Sequence, residues 1–138
     1  MNDDELRQAM SALDAYKEQL DEMAQQSQLL QLSLEEAMRA RDTLKALDNA
    51  KEGDEILVPA GASSFVTAKL TSKKTALVSI GNRTSVEKSF DEAIKYMTSN
   101  IDEITEALKR ITDTMNKMNN NARGLAAAVQ QEYQRRQQ

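Results

Sequence analysis

The chain has 138 residues, of which 40% are apolar, 29% are charged and only 4% are aromatic, a mixture typical of long helices and coiled coils rather than of a large globular core. The net charge of −4 and the lack of a basic stripe argue against nucleic-acid binding. The chain has no Cys or His, so we expect no disulfide, no metal site and no cofactor, and the polar start without a long apolar run favours a cytoplasmic protein with no membrane segment.

The first segment, residues 3–51, contains no Gly or Pro and is predicted to be one helix. Asn2 and Glu5 form a capping pattern that favours a helix start. Apolar residues recur every 3.5 residues, which is the period of a coiled coil, and only Ser27 and Arg41 interrupt them. The core positions of this repeat are Leu6, Ala9, Leu13, Tyr16, Leu20, Met23, Ser27, Leu30, Leu34, Ala37, Arg41 and Leu44.

The second segment, residues 53–88, contains three of the four Gly and the only Pro, and it is predicted to form two β-hairpins. The first hairpin is expected to turn at residues 59–62. The second is expected to turn at Gly81-Asn82, a two-residue hairpin turn of a recognised type. The predicted strands cover residues 55–58, 65–70 and 75–80, and a fourth strand begins at residues 84–86.

The third segment, residues 89–136, again reads as a helix, and Ser89 and Glu92 form a capping box at its start. Its heptad repeat has no polar interruption, which strengthens the prediction of a coiled coil. The core positions are Phe90, Ile94, Met97, Ile101, Ile104, Leu108, Ile111, Met115, Met118, Ala122, Leu125 and Val129.

An antiparallel fold-back of the two helices pairs their core positions without a gap. Leu13 then faces Leu125, and in every such pair the residue numbers sum to 138. The predicted fold class is therefore mainly α with a small β insert: a long antiparallel two-helix coiled coil connected by two β-hairpins. At the far end Leu6 would face Glu132, and this mismatch predicts helix ends that fray and expose apolar side chains.

The hairpins carry more apolar side chains than the helices can cover, because the single apolar seam of each helix is already used. An isolated hairpin is marginally stable in water, and exposed strand edges invite pairing with another chain. We therefore predict an obligate oligomer that the β segments hold together. The predicted oligomerisation residues are Ile56, Leu57, Val58, Phe65, Val66, Leu70, Leu77, Val78, Ile80 and Val86.

Three stretches resemble the prefoldin family, specifically its archaeal α-class subunit: EGDEILVP at 52–59, the run 61–70, and VEKSFDEAI at 86–94. The resemblance extends over residues 1–138 as a single domain of helix, two hairpins and helix, and the β class has only one hairpin. It implies a hexamer of two α-class and four β-class subunits. In that family the open ends of the coiled coils capture unfolded polypeptides and pass them to a group II chaperonin without ATP.

The open ends of the helices are the expected binding surface for non-native polypeptide clients. Met10 and Tyr133 lie outside the strict seam and are the stronger candidates, since Met adapts to unspecific partners. For the core positions, packing between the helices is the favoured role. The candidate client-binding residues are Leu6, Met10, Leu13, Ala122, Leu125, Ala126, Val129 and Tyr133.

Two other functions stay open at this point, and catalysis is not one of them. The sequence lacks His, Cys and a Gly-rich phosphate loop, so we expect no enzyme. The chain could be a structural coiled-coil subunit whose β insert builds a filament, or an adaptor for a single folded partner. Broad suppression of aggregation without ATP would favour the chaperone over both.

Overall fold

Two long helices flank two β-hairpins in the computed structural model, which describes all 138 residues. This architecture confirms the predicted fold class. Each hairpin is a separate two-stranded antiparallel sheet. The elements are α1 (Asp3–Asn49), β1 (Glu55–Gly61), β2 (Ser64–Lys69), β3 (Thr75–Gly81), β4 (Thr84–Ser89) and α2 (Phe90–Arg136).

Side-chain caps begin both helices where the sequence predicts them. At α1 the Glu5 amide donates to Asn2 Oδ1 at 2.8 Å, and the Asn2 amide donates to Glu5 Oε2 at 3.3 Å. At α2 the Glu92 amide donates to Ser89 Oγ at 3.1 Å. These bonds satisfy backbone N–H groups that have no partner within the helix.

Helix α1 ends at Asn49, two residues before the predicted end at 51. The Lys51 amide donates to Asp54 Oδ2 at 2.9 Å, so a local side-chain turn replaces the next helical hydrogen bonds. Gly53 follows with φ 87°, a left-handed conformation that Gly adopts without steric cost.

The seam of the coiled coil is buried or half-buried at every core position of both helices. Arg41 follows this rule although it is charged. Its side chain is half-buried, and its Nε donates to the exposed Asp42 carboxylate at 3.0 Å, so the charged head is paired at the edge of the seam. The predicted repeat of 3.5 residues is therefore confirmed by the burial of its positions.

The chain divides into two compact units, Met1–Ser33 with Ile104–Gln138 and Leu34–Glu103. In the first unit, Leu6, Ala9 and Val129 form a buried cluster, against which Leu13 and Leu125 pack. This arrangement is the one that the antiparallel register requires. The assignment of residues 1–138 to a single domain stays a prediction.

In the second unit the two hairpins repeat each other with an offset of 20 residues. Glu55 pairs with Lys69 and Thr75 pairs with Ser89, and each later pair of the first hairpin has its counterpart in the second. The pairing register breaks at the same relative place, between Pro59 and Gly61 and between 79 and 81. The two hairpins thus share the same strand pairing and the same bulge position.

The two tight turns lie later in the chain than predicted. They are formed by Ala62-Ser63 and Asn82-Arg83, all four with φ between 48° and 60°, so Pro59 belongs to β1 and the predictions of turns at 59–62 and at Gly81-Asn82 were wrong. The physical reason is the preceding residue in each hairpin. Gly61 and Gly81 have φ of 106° and 104°, beyond the left-handed well that other residues enter. Glycine therefore occupies the bulge position, and the two residues after it form the turn.

Backbone hydrogen bonds tie the hairpins to the ends of the helices. The Gly53 amide donates to the Leu70 carbonyl at 2.7 Å, and the Phe90 amide, at the start of α2, donates to the Lys74 carbonyl at 3.0 Å. Lys74 also donates through Nζ to the Asp48 carbonyl near the end of α1, at 2.7 Å. The buried residues of this unit are Ala37, Val78, Phe90 and Ala93.

The cap of α2 gives the first testable prediction. Ser89→Ala removes the acceptor of the Glu92 amide, and we expect the free energy of unfolding to fall by about 1 kcal/mol. Ser85→Ala, an exposed serine of the same strand, is the matched control. Urea unfolding followed by far-ultraviolet circular dichroism measures both, and equal losses for the two variants would contradict the cap.

Candidate binding surfaces

The structure separates the eight predicted client-binding residues of the tip (residues 1–13 and 122–138) into packed and exposed groups. Leu6 and Val129 are buried in the cluster that closes the helix ends. Leu13, Ala122 and Leu125 are half-buried along the seam. The exposed members are Met10, Ala126 and Tyr133.

Met10 and Tyr133 form an accessible apolar patch that bridges the two helices. Their side chains are 43% and 44% exposed, and the Tyr133 hydroxyl donates to Met10 Sδ at 3.3 Å. Both side chains are large, and methionine changes shape at little cost. The patch is thus the part of the tip that another polypeptide can reach while the helices stay paired.

The helix ends are closed rather than frayed, so the expectation of an unzipped tip was wrong. Leu6 does face a charged residue, but Glu132 is only 7% exposed and is fully paired. Arg135 contacts its carboxylate through two bonds of 2.6 and 3.1 Å, and Arg136 Nε contacts it at 3.0 Å. The Met1 amino group lies 3.3 Å from Glu132 Oε2. A buried carboxylate with these partners does not force the helices apart.

The arginines also set the charge state of this carboxylate. Hydrogen bonds from Arg135 first, and then from Arg136, lower the pKa of Glu132 to about 2, and partial burial opposes them. The pKa of Arg135 is raised in turn by its bond to Glu132. Glu132, Arg135 and Arg136, the polar cluster of the tip, therefore keep their charges throughout the neutral range.

Arg136 extends the polar cluster to the other helix. Its Nη1 donates to Asp3 Oδ1 at 2.6 Å, and its Nη2 donates to the Met1 carbonyl at 3.0 Å. The acidic start and the basic end of the chain are thus joined by an ion pair. Sequence reasoning missed Glu132 as an organising residue, although arginines three and four residues later were a visible signal on a helix.

The first hairpin, β1 with β2, presents apolar side chains on both faces. Leu57 and Phe65, on one face, are 66% and 59% exposed, and Val58 pairs with the exposed Val66 on the other. Exposed apolar surface of this kind marks an interaction site.

The second hairpin, β3 with β4, has two unlike faces. Val78 is buried, whereas Leu77 on the opposite face is 78% exposed among polar neighbours. Glu87 pairs with Leu77 across the sheet and contacts Lys73 Nζ at 2.6 Å and Thr75 Oγ1 at 2.9 Å. Hydrogen bonds from Lys73 and then Thr75 lower the pKa of Glu87, so the carboxylate on this face stays ionised at neutral pH.

The predicted oligomerisation residues thus occupy three environments. Those that are exposed outnumber the rest, and both strands of each sheet have one unpaired edge. Such edges template pairing with another chain. Ile56 and Leu70 are half-buried and Val78 is buried; the exposed members are Leu57, Val58, Phe65, Val66, Leu77, Ile80 and Val86.

Two exposed leucines lie outside every predicted site. Leu29 and Leu32 project from α1 with exposed fractions of 66% and 57%. They stand off the core positions of the repeat, and the heptad pattern gives them no role. Acidic side chains do not gather into a group that could hold a metal ion, and neither helix has an apolar stretch long enough to cross a membrane.

Comparison with known proteins gives consistent matches. A family model described as "Prefoldin subunit" matches residues 16–135. The chain is 34% identical over 137 residues to prefoldin subunit alpha of Pyrococcus horikoshii, with 99% of this chain and 92% of that protein covered. It is 32% identical over 109 residues to prefoldin subunit alpha of Methanothrix thermoacetophila, with 79% of this chain and 71% of that protein covered.

Solved structures match in fold. A chain of the filamentous PFD from Methanocaldococcus jannaschii, solved by cryo-electron microscopy, superposes with a TM-score of 0.70 at 24% identity, covering 86% of this chain and 98% of that chain. The crystal structure of the prefoldin beta subunit from Thermococcus strain KS-1 gives 0.60 at 19% identity, with 93% and 91% covered. At these identities the likeness concerns the arrangement of helices and hairpins.

The polar cluster at the tip predicts a pH-dependent closure. The pKa of Glu132 is lower in the folded chain than its ordinary value of 4.5, so its stabilising effect is complete above about pH 4.5 and is lost as the pH falls towards 2. At pH 7 we expect Glu132→Gln to speed amide hydrogen exchange at the tip roughly two- to fivefold, and this ratio of variant to wild type should shrink by pH 3.

Because the variant and the wild type are compared at the same pH, the intrinsic pH dependence of amide exchange cancels in the ratio of their rates. Glu106→Gln, which changes an exposed carboxylate of the same helix, should give a ratio near one throughout. A Glu132→Gln ratio that is constant from pH 7 to pH 3 would show that the charge of Glu132 does not hold the tip.

Proposed function

This chain belongs to the prefoldin family, and on that premise we propose that it is an ATP-independent chaperone subunit, which captures unfolded or nascent polypeptides at its tip and delivers them to a group II chaperonin. The family match over residues 16–135 and the alpha-subunit relatives support a chaperone-type role. The observation that carries the capture step is the accessible patch of Met10 and Tyr133.

Client capture at this patch rests on weak apolar contacts. One half-exposed Met and one half-exposed Tyr offer little area, so a single tip binds weakly and releases readily. Several tips that act on one unfolded chain raise the overall affinity through effective concentration. Release then needs only dissociation of individual tips, which explains how the cycle could proceed without ATP.

Assembly with β-class prefoldin subunits, as two α and four β, supplies the several tips. The exposed apolar residues of the hairpins and the unpaired strand edges support it. The first hairpin needs cover on both faces because Leu57 and Phe65 stand opposite Val58 and Val66. On the second hairpin, a partner subunit needs to cover mainly the face that carries Val78. The opposite face carries the charged pair of Glu87 and Lys73 and is exposed to solvent. We place the assembled chaperone in the cytoplasm.

A filament-forming structural subunit is the second candidate. The open strand edges that favour a closed hexamer would also allow pairing to continue from chain to chain. The mass of the native assembly separates the two. A defined hexamer with a β-class partner supports the chaperone, and elongated polymers that do not suppress aggregation support the filament.

Assembly gives a mutational prediction. Leu57→Ser with Phe65→Ser should shift the protein from a hexamer to smaller species in native mass spectrometry, because each serine removes an apolar contact of about 1.5–3 kcal/mol. Leu77→Ser is the matched control, since Leu77 is the more exposed residue but lies among polar neighbours. Equal disruption by all of these substitutions would contradict the difference between the hairpins.

Client capture gives a second prediction. In the assembled complex, Met10→Ser with Tyr133→Ser should require about tenfold more chaperone for half-maximal suppression of aggregation of a denatured protein, because apolar contacts are lost at every α tip. Leu32→Ser, which removes an exposed leucine of the same unit, should leave suppression unchanged. Full suppression by the tip variant would refute capture at this patch.

A further inference from the structure

The polar cluster of the tip lies one helical turn from the buried apolar cluster. Glu132 follows Val129 by three residues, and Asp3 precedes Leu6 by three, so the polar contacts lie on the helix-end side of the buried apolar cluster. The unit formed by Met1–Ser33 and Ile104–Gln138 contains all of these residues. Opening of these polar contacts would therefore loosen the helix ends next to the apolar cluster.

Few contacts hold this end of the seam together. Arg136 of α2 reaches Asp3 of α1 and the Met1 carbonyl before it, and the Met1 amino group lies 3.3 Å from Glu132 Oε2, whereas the arginine contacts to Glu132 lie within α2. Asp3 is 80% exposed, and an ion pair in such a position is weak and is screened by salt. Leu6 packs with Val129 of α2 in the buried cluster, and the links that join the two helix ends beyond this contact are polar.

We propose that the link from Arg136 to Asp3 and the Met1 carbonyl is an autoinhibitory latch on the client-binding tip. When the latch is closed, Met10 and Tyr133 are the accessible contacts, and Leu6, Ala9 and Val129 are buried. When it opens, the buried cluster joins the binding surface. The inference rests on the proposed chaperone function, and it adds that the tip has a closed form of low affinity and an open form of higher affinity.

The experiment compares Asp3→Asn and Arg136→Gln with two controls in the assembled complex. Asp4→Asn removes the neighbouring exposed acid from the same helix end, and Arg123→Gln removes an exposed positive charge of α2. The two test substitutions change the net charge in opposite directions. A shared effect therefore reports the broken link and not the overall charge.

Three readouts follow each variant at low salt. Amide exchange at residues 1–13 and 122–138 reports opening, an apolar fluorescent dye reports exposed apolar surface, and reduced, carboxymethylated α-lactalbumin serves as a permanently unfolded client. We expect both test variants to exchange two- to fivefold faster, to bind more dye, and to bind the client two- to fivefold more tightly. The controls should match the wild type, and added salt should bring the wild type towards the variants.

Each outcome decides a different claim. Faster exchange with unchanged or weaker client binding overturns the latch, and so does unchanged exchange in the test variants. A wild-type complex that binds no unfolded client overturns the proposed function instead. The dye needs no client, so an increase in dye binding still supports the latch in that case, and no increase overturns it.

Discussion

The interaction on which the structure depends is the packing of two apolar seams with a repeat of 3.5 residues. Every core position of α1 and α2 is buried or half-buried, which means that the helices use their apolar surface on each other. The hairpins bury few of their apolar side chains, and large residues such as Leu57 and Leu77 are exposed. The proposed assembly through the hairpins is consistent with this division, because the core positions of the helices are not available to cover them.

The tip shows how a coiled coil can end without exposing its core. A charged residue faces Leu6 where the repeat would call for an apolar one, yet Glu132 is buried and satisfied by Arg135 and Arg136. A carboxylate with such partners keeps its charge and tolerates burial. The outcome is a helix end that is closed by polar contacts and flanked by an accessible Met and Tyr. Exposed polar contacts are weaker than an apolar seam, which fits the proposal that this surface binds unlike chains.

The seam, the register and both helix starts could be predicted from the sequence, because the heptad period and the caps are local patterns. The turns were misplaced because Gly61 and Gly81 mark the bulge that precedes each turn, and only the backbone angles reveal this. The closed tip was missed since it depends on side chains of Arg135 and Arg136 that fold back on Glu132. Which tip residues contact clients, and which hairpin residues contact partner subunits, stay predictions, because packing and binding use the same apolar residue types.

Site-specific photo-crosslinking tests the central claim, capture at the tip, most directly. A photoreactive amino acid at position 10 of the assembled complex should crosslink an unfolded polypeptide efficiently, and the same group at position 133 should do so too. At position 32, where an exposed leucine of α1 lies away from the tip, it should give little product. Equal crosslinking from positions 10 and 32, or none from position 10, would contradict capture at the tip.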